Sequence, residues 1–389
     1  MKEHGQGRFQ LTRQAIRRSI AFSLLSGAAA VAALLTLVRD GDEAVFSHLR
    51  MVDARWLWFA AGLTLTAWLL RTWRSQLLAR AFGTRIPARR VLRYYLASVF
   101  VSHVTPTSTG GVPVFIYLLA REGLSVGRAT AVAVVDSGLV VLWLLAAWPV
   151  AAAWKGLGGR FGAPGLTAFV LVSLGMLAAL VAWTLVRPRA IASIFMRMLT
   201  RARRAARAGR RRRMRAILAV LVKESLRFSY GIRYLLLQRP WHLVGATLLT
   251  GVYWLFYLSI AWAVLVGLGA RMNWLYAATA QLIFNLFQPF IPTPGGSGGA
   301  ELIMAYLFKR VLPASRLAVF VGVWRFFTFY ASLVAGGIMF VRSVGGALRE
   351  APAHPSPATS AGSPGPSPAL PGPAGGSGRQ APAPAEPQS

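Results

Sequence analysis

Long apolar runs recur along this chain, and most of them contain no charged side chain. A helix needs about 20 apolar residues to cross the roughly 30 Å of hydrocarbon in a bilayer. Only 14% of the residues are charged, which is well below the share in a typical soluble domain. We therefore predict an all-α, polytopic helical membrane protein with about six full spans, at residues 19–38, 56–70, 129–153, 165–186, 241–269 and 318–341.

Basic residues are concentrated between these runs, and they give the chain a formal net charge of +32. Such a charge would suggest nucleic-acid binding in a soluble protein. In a membrane protein, however, Lys and Arg gather in cytoplasmic loops. We therefore expect no nucleic-acid partner, and we expect the basic segments 1–18, 71–93 and 187–240 to lie in the cytoplasm. The more acidic loop 39–55 is expected outside.

Residue types that bind metals or form covalent intermediates are scarce. The chain has no cysteine, and its five histidines are scattered. No disulfide, thiolate ligand or cysteine nucleophile is therefore possible, and no histidines have the spacing of a metal site. We expect no metal and no cofactor.

Two glycine-rich segments interrupt apolar sequence, "SHVTPTSTGGVP" (102–113) and "PFIPTPGGSGGAE" (289–301). In the orientation above, residues 94–120 begin and end on the cytoplasmic side, whereas residues 273–308 begin and end outside. A segment that returns to its own side cannot be a single crossing. We therefore predict two re-entrant hairpins, each made of two short helices around a break.

The two hairpin regions also resemble each other in sequence. A shift of 189 residues places Gly110 on Gly299, Tyr117 on Tyr306 and Asp136 on Arg325. Because the hairpins enter from opposite faces, this predicts an inverted repeat with halves at about 56–186 and 241–344, whose broken helices meet at the substrate site. Chance similarity between two glycine-rich turns is the alternative.

The second break offers a candidate anion site. A helix that restarts after Gly299 presents free N–H groups and a positive dipole end, which favour phosphate. Glycines allow the backbone to approach a headgroup closely. The candidate headgroup-binding glycines are Gly295, Gly296, Gly298 and Gly299, with Gly110 and Gly111 in the first break. The alternative is a loop that is merely exposed at the outer surface.

Three charged residues lie inside apolar segments, and such residues usually serve function. Arg325 is the candidate ligand for a lipid phosphate, because its guanidinium is always charged and binds bidentately. Asp136 is expected to be its counter-ion, either at the substrate site or as a simple interhelical ion pair. Glu301 either caps the restarted helix or binds an ammonium group or a proton. Asn285, with Gln281 and Gln288 on the same helical face, is expected to line the cavity.

Two flanking segments have distinctive composition. Residues 214–238 alternate apolar and basic side chains, which predicts an amphipathic helix. That helix either lies on the inner leaflet against anionic lipid or exposes a solvated basic face in the cytoplasm. The tail at 345–389 is rich in Pro, Ala, Gly and Ser, and we expect it to be disordered.

Three quoted segments carry a resemblance to a known family: "PTPGGSGGAE" (292–301), "GVWRFFTFY" (322–330) and "TPTSTGGVPVFIYLLAREGLSVGRATAVAVVDSGLVVL" (105–142). From about residue 21 to 344 the chain resembles the lysylphosphatidylglycerol synthase transmembrane-domain, or flippase-like domain, family. In that family an acidic residue commonly occupies the place of Asp136. The resemblance implies a flippase-like transmembrane domain at 19–344 in a bacterial inner membrane, with both termini cytoplasmic.

The resemblance implies lipid handling. In the multiple peptide resistance factor, this region flips aminoacylated phosphatidylglycerol, and a separate cytosolic domain performs aminoacyl transfer. No such domain is evident in this chain, so we expect no synthase activity. Other relatives are associated with hopanoid and further lipid pathways, which leaves the headgroup open.

Three functions remain open from the sequence. The first is a lipid flippase or transporter for an anionic or lipid-linked headgroup. The second is an accessory lipid-binding subunit of phospholipid or hopanoid biosynthesis, which forms homo-oligomers or partners a biosynthetic enzyme. The third is an enzyme that modifies a lipid headgroup, for which Asp136 and Glu301 are the only carboxylates inside the apolar segments.

Overall fold

A computed structural model describes residues 52–105, 108–153, 164–186 and 208–349, together with Ser193 and Arg197. These residues form helices and short connections, and none of them lies in a β-strand. The predicted basic N-terminus, the crossing at 19–38 and the tail from residue 350 onward fall outside the described residues.

The described residues of the first half form five helices, and polar or special residues mark the ends of several of them. The helices are α1 (Ala54–Ala81), α2 (Ala88–Val104), α3 (Gly111–Arg121), α4 (Val126–Ala153) and α5 (Pro164–Val186). Asp53 caps α1, because its carboxylate accepts a hydrogen bond from the Arg55 N–H. Gly123, with a φ of +95°, ends the turn after α3.

A long basic helix precedes the second half, which then repeats the hairpin pattern. The helices of this part of the chain are α6 (Ala208–Arg233), α7 (Pro240–Gly267), α8 (Trp274–Phe287), α9 (Gly299–Phe308), α10 (Ala314–Arg325) and α11 (Ala331–Arg349). Single π-helical turns join α6 to the start of α7 and α10 to α11. Asn273 caps α8 by accepting from the Leu275 N–H, and Pro240 occupies the first turn of α7.

Three helical segments in the described residues are long and apolar enough to cross a membrane: Val126–Pro149, Pro240–Gly267 and Ala314–Ser343. Their presence confirms the prediction of a helical membrane protein. The total of six spans stays a prediction.

Helix α1 corrects one sequence-based boundary. We predicted a span at 56–70 followed by a basic loop at 71–93, but the helix continues to Ala81. Its buried residues include Ala67, Leu70, Arg74 and Leu78, which recur every three or four positions. This helical periodicity runs through the basic stretch, and Arg is itself a good helix former. Arg71 and Arg74 therefore belong to helix α1 and not to a loop.

Both predicted hairpins are present as helix pairs around a break. The break at 105–110 separates α2 from α3, and the break at 288–298 separates α8 from α9. The shift of 189 residues also holds for the helix starts, since 111 + 189 = 300 and 126 + 189 = 315. The observed starts of α9 and α10, at Gly299 and Ala314, each differ from these values by one residue. The two halves therefore repeat in structure.

The equivalent helices α1 and α7 run antiparallel. At one end the Asp53 N–H donates to the Gly267 carbonyl at 3.0 Å. Farther along, Arg74 Nη1 donates to Thr250 Oγ1 at 3.2 Å, so higher numbers in α1 meet lower numbers in α7. Related helices that point in opposite directions are the signature of an inverted repeat. The helix pairing thus agrees with the inverted topology that we predicted.

The tips of the two hairpins meet inside the protein. The His103 ring, at the end of α2, lies 4.5 Å from the Phe329 ring between centroids. A Cβ placed on Gly295 would lie 3.2 Å from the His103 carbonyl oxygen. The second break therefore contacts the end of α2, immediately before the first break, and a cavity lies beside this contact.

Candidate functional site

The cavity between the halves has a volume of about 430 Å³ and a polar lining drawn from both repeats. The first half contributes Arg71 and Asp136, and the second half contributes Asn285. Asp136 lies ten residues into α4, which corresponds to a rise of about 15 Å. That depth is close to the middle of a bilayer core roughly 30 Å thick. The cavity therefore places polar groups at the depth where burying them in a bilayer costs the most free energy.

Arg74 and Asp136 form a bidentate ion pair beside the cavity. Arg74 Nε donates to Asp136 Oδ1 at 2.8 Å, and Nη2 donates to Oδ2 at 2.7 Å. Ser75 Oγ also donates to Oδ1, at 2.8 Å. The Arg74 side chain is fully buried, so both charges need this pairing to remain in a low dielectric. The Asp136 carboxylate is thereby neutralised within its own half of the protein.

Arg325 and Glu301 form the corresponding pair in the second half. Arg325 Nε donates to Glu301 Oε1 at 2.9 Å, and Arg325 Nη2 donates to the Gly295 carbonyl at 2.7 Å. The other carboxylate oxygen, Oε2, accepts from the Gly298 N–H at 2.7 Å. Both side chains are buried. The pair therefore fixes the glycine-rich break at both ends.

These contacts correct the predicted pair of Asp136 with Arg325, because each of the two residues has a different partner. The expectation rested on their equivalent positions in the two repeats. The actual partner of Asp136 is Arg74 on α1, which the sequence had assigned to a basic loop. For Glu301 the capping interpretation is confirmed, since its carboxylate binds the Gly298 N–H at the start of α9.

Arg71 is the cationic group that faces the cavity. Its side chain is 25% exposed, and its Nη2 lies 3.9 Å from Asp136 Oδ2. The guanidinium carbon lies 5.0 Å from the ring centroid of Tyr95 and 6.0 Å from that of Tyr253. Among the described residues, its buried Nε has no hydrogen-bond partner. Because Asp136 is already bound by Arg74, the guanidinium of Arg71 supplies one positive charge in excess.

The sequence-based prediction did not include Arg71 among the site residues. It assigned the basic stretch to a loop because of its charge, although the helical periodicity continues through it. Thr64, Trp68, Arg71 and Ser75 all line the cavity and occupy positions i, i+4, i+7 and i+11 of α1. This is the spacing of one helical face. Extending the stripe past Leu70 would have placed Arg71 on the cavity-lining face of α1.

Most of the predicted headgroup-binding glycines have a packing role. A Cβ on Gly295 would clash with the Phe329 ring, and its φ of +61° favours glycine as well. A Cβ on Gly111 would clash with the Ser102 hydroxyl, because α3 packs tightly on α2. Of the six glycines, Gly111 is the one that lines the cavity; the other five, Gly110, Gly295, Gly296, Gly298 and Gly299, do not. Headgroup binding by these glycines stays a prediction.

The amides in and just after α8 lie in two environments. Asn285 and Gln288 line the cavity, as we predicted for this face. Gln281 is fully buried, and its Nε2 donates to the Tyr257 carbonyl at 2.8 Å. Gln281 therefore joins α8 to α7 and does not reach the cavity.

The basic segment 214–238 is helical, as predicted, and one face of it packs on α4. Glu224 Oε2 accepts from the Gly127 N–H at 2.6 Å, and Oε1 accepts from Arg227 Nη1 at 2.6 Å. A surface groove of about 780 Å³ runs beside this contact, with Arg128 and Lys223 in its lining. Contact of this helix with lipid or with solvent stays a prediction.

Together these features define a class of protein, a polytopic helical membrane protein in which two broken hairpins flank a buried polar cavity. The family model described as "Lysylphosphatidylglycerol synthase TM region" matches residues 19–336. The chain therefore belongs to this family, and the resemblance seen in its sequence is confirmed.

A named relative gives the same classification. The chain is 29% identical to a UPF0104 membrane protein of Archaeoglobus fulgidus over 287 residues, which cover 73% of this chain and 86% of that protein. The match to the family concerns its transmembrane region. Membrane location is thus established.

Proposed function

We propose that the protein binds a lipid with an anionic headgroup in the central cavity and moves it across the membrane. The observation that carries this proposal is the position of Arg71, whose guanidinium faces the cavity with a charge that Asp136 does not cancel. Arg74 already holds Asp136 through two hydrogen bonds, of 2.8 and 2.7 Å. An anionic group is the natural counter-ion for the remaining positive charge.

The arrangement of the two halves supports movement in addition to binding. In transporters built from inverted repeats, one half rocks against the other around a site near the bilayer midplane. Here α1 and α7 run antiparallel, and the hairpin tips meet at His103 and Gly295. A cavity beside this contact can open to either side of the membrane in turn.

The contacts of the two buried carboxylates, Asp136 and Glu301, favour transport over an enzymatic reaction on the headgroup. A general acid or base has to exchange a proton with its substrate. Asp136 is occupied by Arg74 and Ser75, and Glu301 is occupied by Arg325 and the Gly298 N–H. Neither carboxylate has the freedom that proton transfer requires.

The orientation belongs to the same proposal. The basic residues from Arg80 to Arg93 and those of segment 187–240 flank the predicted crossings, and Lys and Arg favour the cytoplasmic side. We therefore propose that both termini lie in the cytoplasm; the bacterial inner membrane in this proposal rests on the family resemblance.

A proteoliposome assay tests the proposal. Phosphatidylglycerol with a fluorescent acyl chain is incorporated into both leaflets, and a membrane-impermeant quencher then reports how fast inner-leaflet lipid reaches the outside. We expect the full chain to accelerate this exchange. Arg71→Ala should slow it about tenfold or more, because a charge-assisted hydrogen bond is worth about 1.5–3 kcal/mol.

Arg80→Ala is the matched control, since Arg80 is an exposed residue on the same helix. It should exchange lipid at the wild-type rate. Exchange no faster than in protein-free vesicles would contradict transport. Retained lipid binding in that case would point to the accessory lipid-binding role.

A further inference from the structure

We infer that the headgroup is an anionic phosphodiester that carries free hydroxyl groups and no ammonium group. This inference rests on the proposed function and narrows it to a substrate class, a polyol phosphodiester such as a phosphoglycerol or phosphosugar lipid. It follows from which hydrogen-bond donors and acceptors of the cavity are already in use.

Three hydroxyl groups of the lining present acceptors to the cavity. Ser98 Oγ donates its proton to the Tyr95 carbonyl at 2.7 Å, and Ser332 Oγ donates to the Phe329 carbonyl at 2.9 Å. Thr328 Oγ1 uses its proton in the same way, on the Trp324 carbonyl at 2.9 Å. A hydroxyl has one proton and two lone pairs, so these three groups retain lone pairs for a ligand. Lone pairs of this kind bind ligand O–H groups and repel phosphate oxygens.

A bound phosphate needs hydrogen-bond donors, and the guanidinium of Arg71 can supply them. Phosphate oxygens accept hydrogen bonds, and a guanidinium binds them well. The buried Nε of Arg71 is without a hydrogen-bond partner among the described residues. Arg74 cannot take this role, because its Nε and Nη2 bind Asp136 and its Nη1 binds Thr250. The phosphate is thus expected at Arg71, with the polyol toward the serines and Thr328.

An ammonium group finds no counter-charge in the same space. Asp136 accepts three hydrogen bonds, from both Arg74 nitrogens and Ser75, while Glu301 is not part of the lining. The Tyr95 face is already covered by the Arg71 guanidinium. A cation entering the cavity would therefore meet the excess positive charge of Arg71 in a low dielectric. Aminoacylated and amine-bearing headgroups are disfavoured for this reason.

A panel of lipids in the proteoliposome assay tests this substrate class with the full chain. The panel contains phosphatidylglycerol, phosphatidylethanol, phosphatidylserine and lysyl-phosphatidylglycerol, each with the same labelled acyl chain. Phosphatidylethanol keeps the anionic phosphodiester but lacks the hydroxyls, so we expect it to move about tenfold more slowly than phosphatidylglycerol. The two amine-bearing lipids should move at least as slowly as phosphatidylethanol.

A double variant tests whether the preference for phosphatidylglycerol over phosphatidylethanol depends on the hydroxyls of Ser98 and Ser332. Ser98→Ala combined with Ser332→Ala should slow phosphatidylglycerol more than phosphatidylethanol, which lowers the ratio of the two rates. Ser173→Ala is the control, because Ser173 makes the same hydroxyl-to-backbone bond on an exposed face of α5. The control should keep the wild-type ratio.

The outcomes separate the inference from the proposed function. Equal rates for phosphatidylglycerol and phosphatidylethanol, or rapid movement of lysyl-phosphatidylglycerol, would overturn the substrate class and leave transport intact. An unchanged rate ratio in the double serine variant would also overturn it. If no lipid of the panel moves faster than in protein-free vesicles, the proposed function itself fails.

Discussion

Arg74 and Asp136 connect α1 to α4 through two parallel hydrogen bonds, of 2.8 and 2.7 Å, in the interior of the protein. The pair occupies both carboxylate oxygens of Asp136. Because Arg74 occupies Asp136, the neighbouring Arg71 keeps an uncompensated positive charge at the cavity. The headgroup selectivity that we propose depends on these two different roles: Arg74 binds Asp136, and Arg71 faces the cavity.

The first prediction concerns the stability of this pair. Arg74→Met leaves the Asp136 carboxylate buried without its partner, which should lower the free energy of unfolding by about 3–5 kcal/mol. Combining it with Asp136→Leu removes both charges, so the double variant should be more stable than the single one. Denaturant unfolding in detergent measures both. A single variant as stable as the wild type would refute the structural role of the pair.

The second prediction concerns the packing of the break. Gly295→Ala should destabilise the protein by about 1–3 kcal/mol, because the residue has a positive φ and a methyl group would clash with the Phe329 ring. Gly62→Ala is the control, since a Cβ at Gly62 meets nothing within 4 Å. Thermal unfolding should separate the two variants. Equal stability would show that the contact with Phe329 is looser than described.

The third prediction concerns the role of Arg325 in holding the break closed. Ser297 is buried, with 1% of its surface exposed. The chain has no cysteine, so Ser297→Cys introduces one reactive thiol. The thiol should react slowly with a maleimide, and Arg325→Ala should accelerate labelling because the Gly295 carbonyl and Glu301 lose their donor. The idea fails if the labelling rates are the same.

The fourth prediction concerns orientation in the membrane. Arg85 follows α1 and Arg271 follows α7, and these helices run antiparallel, so the two residues lie at opposite ends. An impermeant thiol reagent added to intact spheroplasts should label Arg271→Cys, whereas Arg85→Cys should require permeabilised membranes. The reverse pattern would invert the proposed topology without changing the fold.

The sequence predicted the elements that follow from local pattern. Proline and glycine mark both breaks, and apolar runs mark the long helices, so the two hairpins were predicted correctly. The shift of 189 residues also identified equivalent helices. These features depend on neighbouring residues, which a single sequence displays.

The partners of the buried charges depend on contacts between distant segments. Arg74 and Asp136 are 62 positions apart, and no local pattern connects them. Equivalent positions in two repeats suggested that Asp136 faces Arg325, but symmetry relates such positions without bringing them into contact. Arg71 was within reach of sequence analysis, through the cavity-lining stripe of α1, had that helix been extended beyond Leu70.

The most direct test of the account is to locate the bound headgroup. A phosphatidylglycerol analogue with a photoreactive group on its glycerol headgroup is incorporated into vesicles with the full chain, and the crosslinked peptides are then mapped. We predict crosslinks to the cavity-lining segments around Ser98, Thr328 and Ser332, where the glycerol is expected, and Arg71→Ala should remove them. Crosslinks confined to the lipid-facing surface, and unchanged by Arg71→Ala, would contradict the account.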